Sequence, residues 1–107
     1  MAQITAISGK ESKMDTSNLV FTGIIVQESD EFVAYCAELD VVSQGETLKE
    51  SKEMLQEAIA LYLNTCIESN LPYMRPIPYD EDPRNETPVD VVEVYRIKVD
   101  IGFRVYA

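Results

Sequence analysis

One stretch of this chain, Thr47 to Cys66, spaces its apolar residues by threes and fours, and no second stretch does so. Leu48, Ser51, Leu55, Ala58, Ile59, Tyr62 and Cys66 fall on one stripe, with Lys49, Lys52, Glu53 and Glu57 off it, which predicts an amphipathic helix. Thr47 stands three residues before Glu50, a capping-box spacing in which each side chain reaches the other's free backbone N–H. The other regular segments read as strands. A single apolar stripe has to be buried against a sheet, so the chain reads as α+β, with three strands before the helix and one after it.

The strands are bounded by turn residues. "NLVFTGIIV" (18–26) is rich in β-branched and aromatic residues, "QESDE" interrupts it, and "EFVAYCAEL" resumes the pattern, which predicts an antiparallel hairpin. "VVSQG" reads as a third short strand ending at Gly45. The helix is expected to fray near Ser69 and Asn70, because four of the five prolines lie between Leu71 and Pro83. Residues 71–90 therefore read as a semi-rigid, acidic connector. Beyond it, Tyr95, Ile97, Val99, Ile101, Phe103 and Val105 share one face, while Arg96, Lys98, Asp100 and Arg104 share the other. That alternation predicts one long strand over 91–107, or a hairpin bent at Gly102. Residues 1–17 are polar and weakly periodic. They read as a flexible arm, with at most a short strand over Ala2–Ile7.

At 107 residues this is one domain, able to bury about 60–70% of its extended surface. No run approaches the ~18 apolar residues of a membrane span, and the first residues lack the features of a secretory signal, so a cytoplasmic protein is expected. Nineteen acids against nine bases give a formal net charge of −10, which repels phosphate backbones and favours a basic protein partner over nucleic acid. The acids are unevenly placed. No Lys or Arg lies between Lys13 and Lys49, and Asp80 to Glu93 holds six acids with Arg84 as the one base. Cys36 and Cys66 sit within apolar patterns and form no CxxC, and there is no His. Two thiols without His do not make a usual zinc site, and His-based nucleophilic catalysis is excluded. No pattern calls for a cofactor, a metal or an enzyme.

The stretch "GIIVQESDEFVAYCAELDVVSQGETLKESKEMLQEAIALYLNT" resembles the N-terminal domain of HicB-like antitoxins of type II toxin–antitoxin systems. Phe32, Ala34, Tyr35, Glu38 and Leu39 match its "YxAYxPEL" strand. Ser43, Gln44, Gly45, Glu46 and Thr47 match its "SQGDT" turn, and Leu55, Glu57, Ala58, Leu61 and Tyr62 match its helix. Ala37 stands where the family often has Pro, and Ser51 where its helix usually has Ala. The resemblance covers residues 20–64, about two fifths of the chain. It implies a β-β-β-α-β unit like a truncated RNase H fold, and binding to a small basic RNase toxin of the HicA kind. It does not imply nuclease activity, since no cluster of converging carboxylates is evident. The DNA-binding domain of many family members is not carried over, because residues after Pro78 read as acidic linker plus strand. A solitary HicB-like structural or regulatory oligomer without a toxin is the alternative.

These readings assign Glu28, Asp30, Glu31, Asp80, Glu81 and Asp82 to a partner-facing surface. Gly45 is expected to turn the backbone sharply, Thr47 and Glu50 to cap the helix, and Leu55, Ile59 and Tyr62 to lie in the core. One helix covers one face of a small sheet. The other face, and the long C-terminal strand, therefore predict a homodimer built by strand pairing or exchange.

Overall fold

The computed structural model describes residues 18–100. β1 (Asn18–Glu28), β2 (Glu31–Cys36), β3 (Val41–Gly45), α1 (Leu48–Glu68) and β4 (Val91–Asp100) follow the expected order, while a short helix α2 (Pro83–Glu86) stands inside the connector, where no helix was expected. The strands form one antiparallel sheet in the order β3-β2-β1-β4, so β4 returns beside β1 at an edge. This is an α+β β-β-β-α-β unit. The arm at 1–17 and the proposed bend at Gly102 lie outside the described residues, and no helix among those described is long and apolar enough to cross a membrane.

Period-two alternation sorts the side chains onto two faces. Phe21, Ile25, Ala34, Cys36 and Ile97 point to one side and pack with Leu39 and with Leu55, Ile59 and Leu63 of α1. Leu55 and Ile59 lie in the core as the stripe predicts, and Tyr62 is half-buried against the same cluster. Leu63 belongs to the core although the stripe omitted it, whereas Leu48, at the start of the stripe, is exposed. Ser51 is fully buried, and its hydroxyl donates to the Leu48 carbonyl at 2.7 Å, so a polar side chain is tolerated there without an unpaired group.

The helix ends are more sharply built than their sequence suggests. Thr47 Oγ1 accepts from the Glu50 N–H at 3.0 Å, as the capping spacing requires. Glu50, however, accepts from Glu46 N–H at 2.7 Å, one residue earlier than the reciprocal capping box places it. At the other end the chain does not fray. Asn70 adopts a left-handed φ of 56°, Leu71 N–H donates to the Cys66 carbonyl at 2.8 Å, and Asn70 N–H donates to Ile67 at 3.2 Å. That pair of bonds is a Schellman stop with Asn in place of the usual Gly.

Gly45 is a correction of reason. Its φ is not positive. A Cβ there would stand 2.6 Å from the Ser51 nitrogen and 2.9 Å from the Glu50 carbonyl carbon. Gly45 therefore lets β3 pass against the first turn of α1, where no side chain fits. Gly23 plays a similar part on β1: its Cβ would lie 2.5 Å from Tyr95 Cζ, because the Tyr95 ring of the paired strand lies across it.

The second face of the sheet is not bare, although the sequence offers no second amphipathic helix to cover it. Ile24, Val26 and Ala37 are buried there, with Tyr35 and Val91 against them. The connector provides the cover. Arg75 N–H donates to the Glu38 carbonyl and Ile77 N–H to the Ala37 carbonyl, both at 2.9 Å, which fastens the connector beside the end of β2. Turns of 3₁₀ helix at Tyr79–Glu81 and Pro88–Asp90 flank α2, Pro83 is buried, and both α2 and the second turn touch β1. The cover is partial: Val20, Val42, Val92 and Val94 on this face remain 47–51% exposed.

Candidate functional site

The end of the sheet marked by the β1–β2 turn carries the first group of sequence-assigned acids. Ser29 takes a positive φ of 56° and closes a two-residue hairpin, and Glu28 lies directly opposite Glu31 in the ladder. Glu28, Asp30 and Glu31 are all exposed, and no ion pair among the described residues engages them. Like charges placed opposite each other cost stability, so the Glu28–Glu31 pair does not strengthen the hairpin. Glu86 of α2 is also exposed. Its charge acts with that of Glu28 on the Tyr35 hydroxyl, whose pKa is raised first by burial and then by these two carboxylates.

The second assigned group divides. Asp80 and Glu81 are exposed in the first 3₁₀ turn. Asp82 is only 6% exposed. One of its oxygens caps α2, accepting from Arg84 N–H at 2.9 Å and from Arg84 Nε at 3.0 Å, and the other takes Arg84 Nη2 at 2.7 Å. These bonds hold its carboxyl below the ordinary value of 3.8. Asp82 is thus a structural cap and leaves the acidic surface. Asp80 and Glu81 follow soon after Ile77, which is fixed beside Ala37, whereas the hairpin acids lie at the opposite end of β2. The structure does not bring the two groups into one patch.

Glu38, matched above only as part of a motif, has a definite task. At Cys36 the second strand leaves the sheet, and the segment to Asp40 turns, with Asp40 N–H donating to the Cys36 carbonyl at 2.9 Å and a φ of 54° at Asp40. Glu38 then reaches back to β1, where its carboxylate accepts from Thr22 N–H at 2.7 Å and from Thr22 Oγ1 at 2.8 Å. The side chain substitutes for the strand that has gone. Arg75 braces the same turn. Its guanidinium donates to the carbonyls of Leu39 and Asp40 and lies 4.9 Å from the centre of the Tyr62 ring, and Tyr62 in turn donates to the Tyr73 carbonyl.

On the helix side, between α1 and β4, a groove of about 240 Å³ is lined by Lys52, Gln56, Tyr95, Arg96, Ile97 and Lys98. Lys52 is bound to Glu93 at 2.9 Å and sits 4.5 Å from the centre of the Tyr95 ring. Burial pushes the Tyr95 hydroxyl up to about 12. The Cys36 thiol is likewise buried and raised to about 11, so it is held protonated near neutrality. Among the described residues, no three His, Cys, Asp or Glu side chains gather so as to hold a metal ion.

Comparison of the chain with protein-family models, with curated proteins and with solved structures finds no match.

Proposed function

We propose that this chain is a partner-binding module of the HicB-like antitoxin kind, which engages a small basic RNase toxin through the acidic hairpin end of its sheet. The observation that carries the reading is the base-free group Glu28, Asp30 and Glu31, exposed at a two-residue turn. Its field attracts a basic protein and opposes RNA at the same surface, so contact with the toxin and exclusion of its substrate have one electrostatic origin. The resemblance of residues 20–64 supplies the class of partner. Asp80 and Glu81 form a second contact only with a partner long enough to reach from the hairpin along the connector.

Co-purification tests the reading. The chain, expressed together with any short basic protein encoded beside it, is expected to hold that protein in a stable complex and suppress its RNase activity. A neighbour that neither binds nor cleaves RNA would contradict it. The outer edge of β4, to which no strand among the described residues is paired, favours the second reading, a HicB-like oligomer with a structural or regulatory role and no toxin.

A further inference from the structure

We propose that two copies of this chain pair through the outer edges of β4, antiparallel, about a two-fold axis at Val94, whether or not the chain binds a toxin. In β1, Thr22 directs both N–H and carbonyl toward the β2 side, to Glu38 and Ala37. Strand backbones alternate, so Gly23 directs its groups toward its β4 partner, Tyr95. It follows that Val94, Arg96 and Lys98 direct their N–H and carbonyl groups away from β1, along an edge to which no described strand is paired. That edge is ten residues long, about twice a usual strand. Its outer-face side chains include Val92 and Val94, both half-exposed.

Charge selects the occupant and the register. From Asp90 to Lys98 the edge is dipolar: Asp90, the last residue of the 3₁₀ turn before β4, and Glu93, bound to Lys52, stand at its start, Arg96 and Lys98 follow, and Asp100 ends the strand beyond them. A stretch with acids at its start and bases further on complements an antiparallel copy of itself. A two-fold axis at Val94 sets Val94 against Val94, Val92 against Arg96, Glu93 against Tyr95, and Asp90 against Lys98 of the second copy. An axis at Glu93 opposes two carboxylates, an axis at Arg96 opposes two guanidinium groups, and an axis at Ile97 sets Arg96 against Lys98. An axis at Tyr95 opposes Asp90 to Asp100 and sets both exposed valines against cations. The Val94 axis alone gives an acid a base and a valine a valine. The helix does not obstruct the approach, since α1 packs chiefly over β3 and β2.

Sedimentation equilibrium of the full chain tests the pairing, with amide exchange at Val94 and Arg96 as a second reading. A dimer at micromolar concentration, with both amides protected, is expected. Val94→Lys should yield a folded monomer. Lys98→Asp should weaken the dimer roughly tenfold through its two symmetric contacts, and Asp90→Lys should do the same. The double variant Asp90→Lys/Lys98→Asp should return to within about threefold of the parent. A monomeric parent overturns the proposal; if its Val94 and Arg96 amides are nevertheless protected, another segment of the same chain occupies the edge. A dimer that withstands Val94→Lys overturns it too, and a double variant no tighter than the singles overturns the register.

Discussion

Removal of the Glu38 carboxylate should unravel the junction between β1 and the departing end of β2. In Glu38→Ala, Thr22 loses a backbone partner at 2.7 Å and a hydroxyl partner at 2.8 Å. An unpaired buried N–H costs about 1–3 kcal/mol, and a lost hydroxyl bond about 0.5–1.5 kcal/mol. Thr22 is half-buried, so water restores part of this and the expected loss is about 2 kcal/mol. With a urea dependence of about 1–3 kcal/mol per molar, the unfolding midpoint should fall by roughly 1–2 M. Glu38→Gln keeps an acceptor for the N–H and an amide for the hydroxyl, so it should cost only about 1 kcal/mol. Native-state amide exchange locates the effect: Thr22 should lose protection in Glu38→Ala while Ile25 and Ala34 change only with global stability. An unchanged midpoint, or a Thr22 amide as protected as before, would refute the view that a side chain completes this strand.

Leu55→Ala should cost about 2–5 kcal/mol, since the residue is fully buried between α1 and the sheet; a fully stable variant in a urea titration contradicts its place in the core. Arg84 holds the Asp82 carboxyl below its ordinary 3.8, so the stabilisation is present above that value and is lost as pH falls through the lower folded pKa. Asp82→Asn should therefore unfold more easily than the parent at neutral pH, and the gap should close in acid-unfolding curves below pH ~4. The Tyr95 hydroxyl rises from 10.0 to about 12 on folding, so its contribution is complete below pH 10 and is lost as pH rises through 12. Tyr95→Phe should flatten the alkaline fall in stability over that range and leave the part from Cys36, raised from 9.0 to about 11.

The parts of this fold that were legible in the sequence are those governed by neighbours in the chain. Helical spacing identified Leu55 and Ile59, alternation separated Tyr95, Ile97 and Val99 from Arg96 and Lys98, and the Thr47–Glu50 spacing located the helix start. The rest depended on docking between distant segments. Prolines in the connector showed where regular structure stops, but not that Ile77 would bond to Ala37 and carry α2 across the second face. Asp82 was readable only in part: a carboxylate two residues before an Arg and just before Pro83 carries a capping signal, but within an acidic run it looked like surface charge. Gly45 was placed correctly in an architectural turn for the wrong physical reason, because sequence distinguishes poorly between a glycine that bends the chain and one that makes room for another backbone.

The proposed role of the hairpin acids is tested by the salt dependence of binding to a basic RNase of the HicA kind, the proposed partner. Calorimetric titration with such a protein would compare the parent with Glu28→Gln/Asp30→Asn/Glu31→Gln from low to physiological salt. Exposed charges at about 0.5–1 kcal/mol each predict a loss of roughly tenfold or more at low salt, shrinking as salt screens the parent's advantage. Equal affinity and equal salt slope for the two proteins would contradict the account.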